Sequence, residues 1–198
     1  MGLKNLFIAF LGGLLLTSCF YDAMYHLDEE DLAWLSPYEQ GDTLIFVSLH
    51  GEEDSLLVDK AYLHETHIPF IRNEGFSTFR ASGGYNLSHL HSENSPSISL
   101  DIGKWDEKTL LIHIMFKKGS TFLFLETTNK IKTKDIDIGG VKYNDAICVN
   151  HDNAHAEIAD NSPYNCEFFI WSKPEGLIQY KYIDGETYTF CKKLPHKK

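Results

Sequence analysis

With 28 acidic side chains against 18 basic ones in 198 residues, the chain carries a formal net charge of −10 with histidine neutral. That charge repels phosphate backbones and no basic stripe offsets it, so nucleic acid is excluded as a partner. Aromatics at 13% and only 6 prolines set it apart from disordered chains, and the length suits one domain with a substantial core.

Met1 to Ser18 has the three parts of a secretory signal. Lys4 and the amino terminus are positive, Leu6 to Leu16 is apolar, and the small residues Thr17 and Ser18 precede Cys19. Leu16-Thr17-Ser18-Cys19 reads as a lipobox, with cleavage before Cys19 and acylation of that cysteine. As a helix, Leu6 to Leu16 rises about 16 Å, short of a bilayer core of about 30 Å. Leu6 stands where N-myristoylation wants Ser or Thr. The predicted organisation is a signal peptide over 1–18, a lipidated tether over 19–26, a single β-rich domain over 27–192 and a basic tail over 193–198. Losing the signal removes only Lys4 among charged residues. The body stays acidic and is repelled by an anionic surface, so acyl chains on Cys19 are its expected hold on the membrane.

Three further cysteines, Cys148, Cys166 and Cys191, leave an odd number in an oxidising compartment, so at most one disulfide forms within the chain. Cys166 and Cys191 are the candidate pair. Cys148, inside Ala146-Ile147-Cys148-Val149, is expected as a buried small hydrophobe. No CxxC exists, which argues against a zinc knuckle or a thioredoxin-type site.

Along the mature chain, Leu27 to Leu35 reads as a short helix: its first turn is acidic and Pro37 follows it. From Gly41 the period becomes two. Thr43 to Leu49 and Ser55 to Tyr62 form a hairpin turning at Gly51. Ile68 to Ile71 and Phe76 to Ala81 are weaker strands, and Gly83-Gly84 marks a turn or bulge. Ser97 to Ile102 alternates, predicting Ile98, Leu100 and Ile102 inward and Ser97, Ser99 and Asp101 on a wet face. Leu110 to Phe116 and Thr121 to Glu126 form a hairpin apolar on both faces, hence central. Lys134 to Ile138, Gly139-Gly140 and Val141 to Tyr143 suggest the next hairpin, running into Asp145 to Val149. Asn150 to Asn165 reads as the longest loop. Phe168 to Ser172, Leu177 to Ile183 and Glu186 to Cys191 complete the set, with Asp184-Gly185 as a type I′ turn. The fold class is therefore mainly β: an antiparallel meander forming a curved sheet or open barrel with one short N-terminal helix, with a sandwich as the alternative.

Two stretches carry a resemblance. Trp34, Tyr38, Gly41-Asp42-Thr43-Leu44, Phe46, Ser48, Gly51-Glu52 and Asp54-Ser55-Leu56 form the first. Trp171-Ser172-Lys173, Gly176-Leu177-Ile178, Tyr180 and Asp184-Gly185-Glu186 form the second. With the lipobox, these residues resemble Bacteroidetes-type outer-membrane lipoproteins that have no assigned activity. The resemblance implies a β-rich body lipid-anchored at the outer membrane of a Gram-negative bacterium, with palmitate among its acyl chains. Surface-exported members carry acidic residues directly after the lipid cysteine. Here Phe20-Tyr21 intervene, which leaves both the periplasmic and the surface face open. Trp34, Tyr38 and Trp171 are expected as core packing with a polar handle.

Ten histidines are the main candidates for chemistry. His89-Leu90-His91 has strand spacing, His64 and His67 share a turn or helix face, and His151 and His155 stand at i, i+4. None has the spacing of a metalloprotease helix, and surface histidines are the simpler reading. Asp135 and Asp137 before Gly139 lack the remaining ligands of a calcium loop, so a turn is expected. No GxSxG elbow occurs, and no catalytic residue, metal or cofactor is assigned. The expected function is an envelope lipoprotein binding a hydrophobic ligand in its curved sheet. The alternative is a protein–protein interaction or scaffold module of the envelope.

Overall fold

The computed structural model describes residues 26–65, 81–90, 97–104, 109–116, 121–127, 131–158, 165–183 and 185–196. The lipobox with Cys19, His67, the candidate strands at 68–71 and 76–80, His91, the turn at 117–120 and Asp184 lie outside them. The described strands are β1 (Thr43–Ser48), β2 (Glu53–Glu65), β3 (Ala81–His89), β4 (Ile98–Lys104), β5 (Leu110–Phe116), β6 (Thr121–Thr127), β7 (Lys134–Ile138), β8 (Val141–Asn150), β9 (His155–Ile158), β10 (Cys166–Ser172), β11 (Gly176–Tyr182) and β12 (Thr187–Leu194). They form one sheet in the order β7-β8-β10-β11-β12-β1-β2-β3-β4-β5-β6-β9, antiparallel at every pairing.

The sheet curls into a half-barrel, and β6 comes into contact with β8 and β10 from far along the strand order. One hydrogen bond shows how tight the curl is. The Tyr180 hydroxyl on β11 donates to Asp54 on β2, three strand spacings away, or about 14 Å across a flat sheet. The concave face holds the core: Leu44 and Phe46, Leu56 and Val58, Tyr85 and Leu87, Ile98 to Ile102 at alternate positions, Ile112 and Ile114, and Phe169 and Trp171. The period-two expectation for β4 and β5 thus holds for the inner face.

The outer face departs from expectation. Ser99 and Asp101 are buried, Asp101 at 4% exposure, rather than wet. Asp101 accepts hydrogen bonds from Ser99 Oγ at 2.6 Å and from the Tyr62 hydroxyl, and His113 Nε2 lies 2.8 Å from its Oδ2. A buried carboxylate persists because its lone pairs are used. Gly83-Gly84 is no turn but lies within β3. A Cβ on Gly84 would sit 2.2 Å from Asp101 Oδ1 and 2.4 Å from the Leu100 carbonyl, and one on Gly83 would meet Leu35 Cδ1 at 2.4 Å. The glycines are there so that both faces of β3 can be packed closely.

Two boundaries also move. Within the expected loop 150–165, His155–Ile158 forms β9 and pairs with Thr121–Phe124 of β6; four residues are too short a run to show periodicity. At the other end β12 continues to Leu194, paired with Thr43, so the strand crosses the expected domain boundary at 192. Cys148, Cys166 and Cys191 are all free. Cys166 is sealed in the core and Cys191 is exposed, so the candidate pair is not joined. Cys148 is half-buried rather than buried, packed on an outer-face patch with Ala146, Ile170 and Ile178.

One end of the half-barrel is plugged by α1 (Glu29–Leu32) and the 3-10 turn Ala33–Leu35 that continues it. Asp28 and Asp31 form a reciprocal capping box, at 3.0 and 2.9 Å, which satisfies two orphan donors of the first turn. The plug is fixed by polar contacts around an aromatic centre. Trp34 packs edge-on against Trp171 with centroids 6.0 Å apart, and Lys173 Nζ lies 5.2 Å from the Trp34 ring centre. The Tyr38 hydroxyl accepts from the Leu177 amide at 2.6 Å, and Tyr85 donates to the Leu35 carbonyl. Lys104 forms ion pairs with Asp31 and, at 3.4 Å, with Asp28. Burial opposes the Lys104 charge, but hydrogen bonding and attraction from Asp31 carry its pKa above the ordinary lysine value. The acidic run is thus a cap and an ion-pair partner. Trp34, Tyr38 and Trp171 are core residues, as expected.

Candidate functional site

The opposite end of the half-barrel is built differently. It comprises the turn after β1, the start of β2, the end of β3 and the β11–β12 connection. On the inner face here lie Asp54 of β2, His89 at the end of β3, Tyr180 and Tyr182 of β11, and Tyr188 of β12. Alternation places His89 inward, because it continues the Tyr85, Leu87 row. Cross-strand pairing puts Tyr180 opposite Tyr188 and Tyr188 opposite Ser48. The Tyr180 and Tyr188 rings stack at 5.4 Å, and Tyr182 stands edge-on to both, at 5.7 and 6.4 Å.

Asp54 joins this aromatic cluster to His89. Its Oδ1 lies 2.7 Å from His89 Nδ1, and its Oδ2 accepts from the Tyr180 hydroxyl. Burial, then the Asp54 charge, pushes the Tyr180 pKa well above the ordinary tyrosine value, so this phenol stays a neutral donor. Tyr188 is raised for the same reasons in the same order, with Glu52 and Glu186 adding to the effect. The His89 side chain is 6% exposed, and among the described residues its Nε2 has no hydrogen-bond partner. An unmet buried polar atom costs about 1–3 kcal/mol. The plug end holds the other such atom described, Trp171 Nε1.

Around this end the surface is apolar in places. Leu49 is 87% exposed, and Leu90 and Ile183, which follow β3 and β11 at the same end, are exposed too. His50 Nε2 pairs with Glu186 Oε1 at 3.1 Å across the same rim.

The other sequence candidates are dispersed. His64 is exposed on β2, and His151 Nε2 lies 3.2 Å from the Cys166 carbonyl. Among the described residues no group of three His, Cys, Asp or Glu is placed to hold a metal ion. Asp137 accepts from the Gly140 amide at 3.0 Å and Asp135 pairs with Lys142 at 2.7 Å, which is the turn expected there. The Asp54–His89 pair was missed in the sequence. Its only signal is the inward phase of both residues, and nothing local links β2 to the far end of β3. The expectation of a hairpin apolar on both faces holds for β5, where the neighbours Leu111 and Ile112 are both buried, at 4% and 0%.

No family model, curated protein or solved structure matches the chain. Among the described residues no helix is long and apolar enough to cross a membrane.

Proposed function

We propose that the protein is a lipid-tethered binding module of the bacterial envelope, anchored through Cys19, that takes a small amphipathic ligand at the end of its half-barrel opposite the helix. The observation that carries this reading is the coincidence, at one end, of an apolar rim and a sealed, partnerless ring nitrogen. Binding sites combine apolar walls with a few placed polar groups, and a buried ring nitrogen without a partner is a group that a ligand can satisfy. The middle of the concave face does not serve: Ile98, Leu100, Ile102, Ile112 and Ile114 are fully buried against one another and their neighbours. The ligand therefore sits at the end of the sheet rather than along it.

The tether sharpens the picture. Between Cys19 and Leu27 an extended chain spans at most about 28 Å, and Leu27 is already in the core beside the plug. The plugged end then lies toward the membrane and the tyrosine end away from it. The test is uptake of a fluorescent alkyl probe by residues 20–198 made without the anchor. Saturable one-to-one binding, lost in Leu49→Asp/Leu90→Asp, supports the reading. Absence of binding by any alkyl probe overturns it.

A further inference from the structure

The chemistry of the ligand's polar head follows from the atoms around His89, given the binding reading above. An ionised carboxylate only accepts hydrogen bonds. Asp54 faces two groups, the Tyr180 hydroxyl on Oδ2 and His89 Nδ1 on Oδ1, and both must donate. The His89 proton is thereby fixed on Nδ1, the carboxylate acting as the orienting group that selects the tautomer. In that tautomer Nε2 is a bare lone pair. What it lacks is a donor.

The charge around the site selects further. Asp54 itself, and Glu52 and Glu186, which act on the neighbouring Tyr188, make this end of the molecule unfavourable for an anion, in a chain already at −10. We infer that His89 Nε2 is the head-group receptor of the site and that its ligand is an amphiphile ending in a hydroxyl or an amine, not a carboxylate or phosphate. The alkyl part lies against the rim of Leu49, Leu90 and Ile183, and the head donates to Nε2. No covalent step is involved. Because Nε2 is closed off from solvent, side chains at this end must rearrange for entry, and association is slow compared with a preformed open pocket.

The inference is tested on the anchor-free chain 20–198, which retains every core side chain, the first being Leu27. Dodecan-1-ol, dodecylamine and dodecanoate are titrated at pH 8. The two donor-headed probes should bind about tenfold tighter than dodecanoate, the scale of one hydrogen bond. Ring 15N NMR of the unliganded protein should show His89 protonated on Nδ1, with the bare Nε2 resonance moving when dodecan-1-ol binds. Asp54→Asn can instead donate to Nδ1, which drives the ring proton to Nε2 and should narrow or reverse the preference toward dodecanoate. His89→Phe should erase discrimination between heads. The NMR measurement needs no variant, so a variant that fails to fold does not shield the inference. If all three probes bind equally, or His89 carries its proton on Nε2, the head-group assignment falls while the binding function stands. If none binds, both fall.

Discussion

Removing one oxygen atom from Tyr38 tests how the helical plug is held. The Tyr38 hydroxyl accepts from the Leu177 amide at 2.6 Å across 139 positions of sequence, and Tyr38 is 5% exposed. Tyr38→Phe keeps the ring and its edge contact with Tyr85, centroids 5.1 Å apart, but leaves a buried N–H with no acceptor. That costs about 1–3 kcal/mol. A value near the middle, about 2 kcal/mol, converts to a fall of about 4–8 °C in Tm for a domain of this size. Tyr85→Phe is the matched control, since it strips the Leu35 carbonyl of its donor. Under-satisfied carbonyls are better tolerated than orphaned amides, so it should cost less, about 1 kcal/mol. Thermal melts followed by circular dichroism, with urea titrations to check that the m-value is unchanged, give both numbers. If Tyr38→Phe melts within about 1 °C of the parent chain, or if Tyr85→Phe is the more damaging change, the Leu177 bond is not what secures the plug.

Cys19→Ala should abolish incorporation of labelled fatty acid while leaving the β-rich circular dichroism of the body intact; label retained in the variant would refute the lipobox. Among the thiols, exposed Cys191 should react with a maleimide at once and Cys166 only on unfolding, because burial raises its pKa far above the ordinary thiol value; modification of Cys166 in the native protein would contradict the core assignment. Alkali should unfold the protein. Burial raises the pKa values of Tyr38 and Tyr180, and that of Tyr85 to about 12. Groups with raised values contribute stability that is fully present below about pH 10 and lost as pH climbs from there toward the folded-state values. Tyrosinate absorbance from these residues should appear together with loss of β-structure, and their smooth ionisation in a folded protein would overturn the reading.

Local structure was legible where the chain alternates. Strands β1, β5, β6, β10 and β11 fall within two residues of their expected limits, because their apolar periodicity and turn residues act over short range. Composition misled where a distant partner decides the outcome. Asp101 reads as solvent-facing from its neighbours, and Tyr62 and His113, brought in from other strands, join Ser99 in making its burial tolerable. The double glycine reads as a turn from its flexibility, whereas its role is to leave room for Leu35 and Asp101. The Asp54–His89 pair was invisible for the same reason: the two residues meet only through the β2–β3 register, which sets His89 opposite Leu56. His89 stood out in the sequence for its spacing to His91, whereas the partner the fold gives it is a carboxylate on β2.

The seam between β12 and β1 lies in the middle of the sheet and joins Thr43–Ser48 to Tyr188–Leu194, near opposite ends of the polypeptide. During folding, the six strands from β1 to β6 can pair among themselves as a meander, and β8, β10 and β11 can do likewise, but each group keeps an open edge until β12 docks between them. Loop closure across nearly the whole chain must then precede the docking of β12, which marks a topology that folds slowly and late. The edge of β1 waiting for it is Leu44-Ile45-Phe46-Val47, an uncharged, β-prone run of the kind that pairs with neighbours indiscriminately. A chain interrupted within β12 would thus be an aggregation hazard, because it carries a nearly complete sheet with the edge of β1 bare.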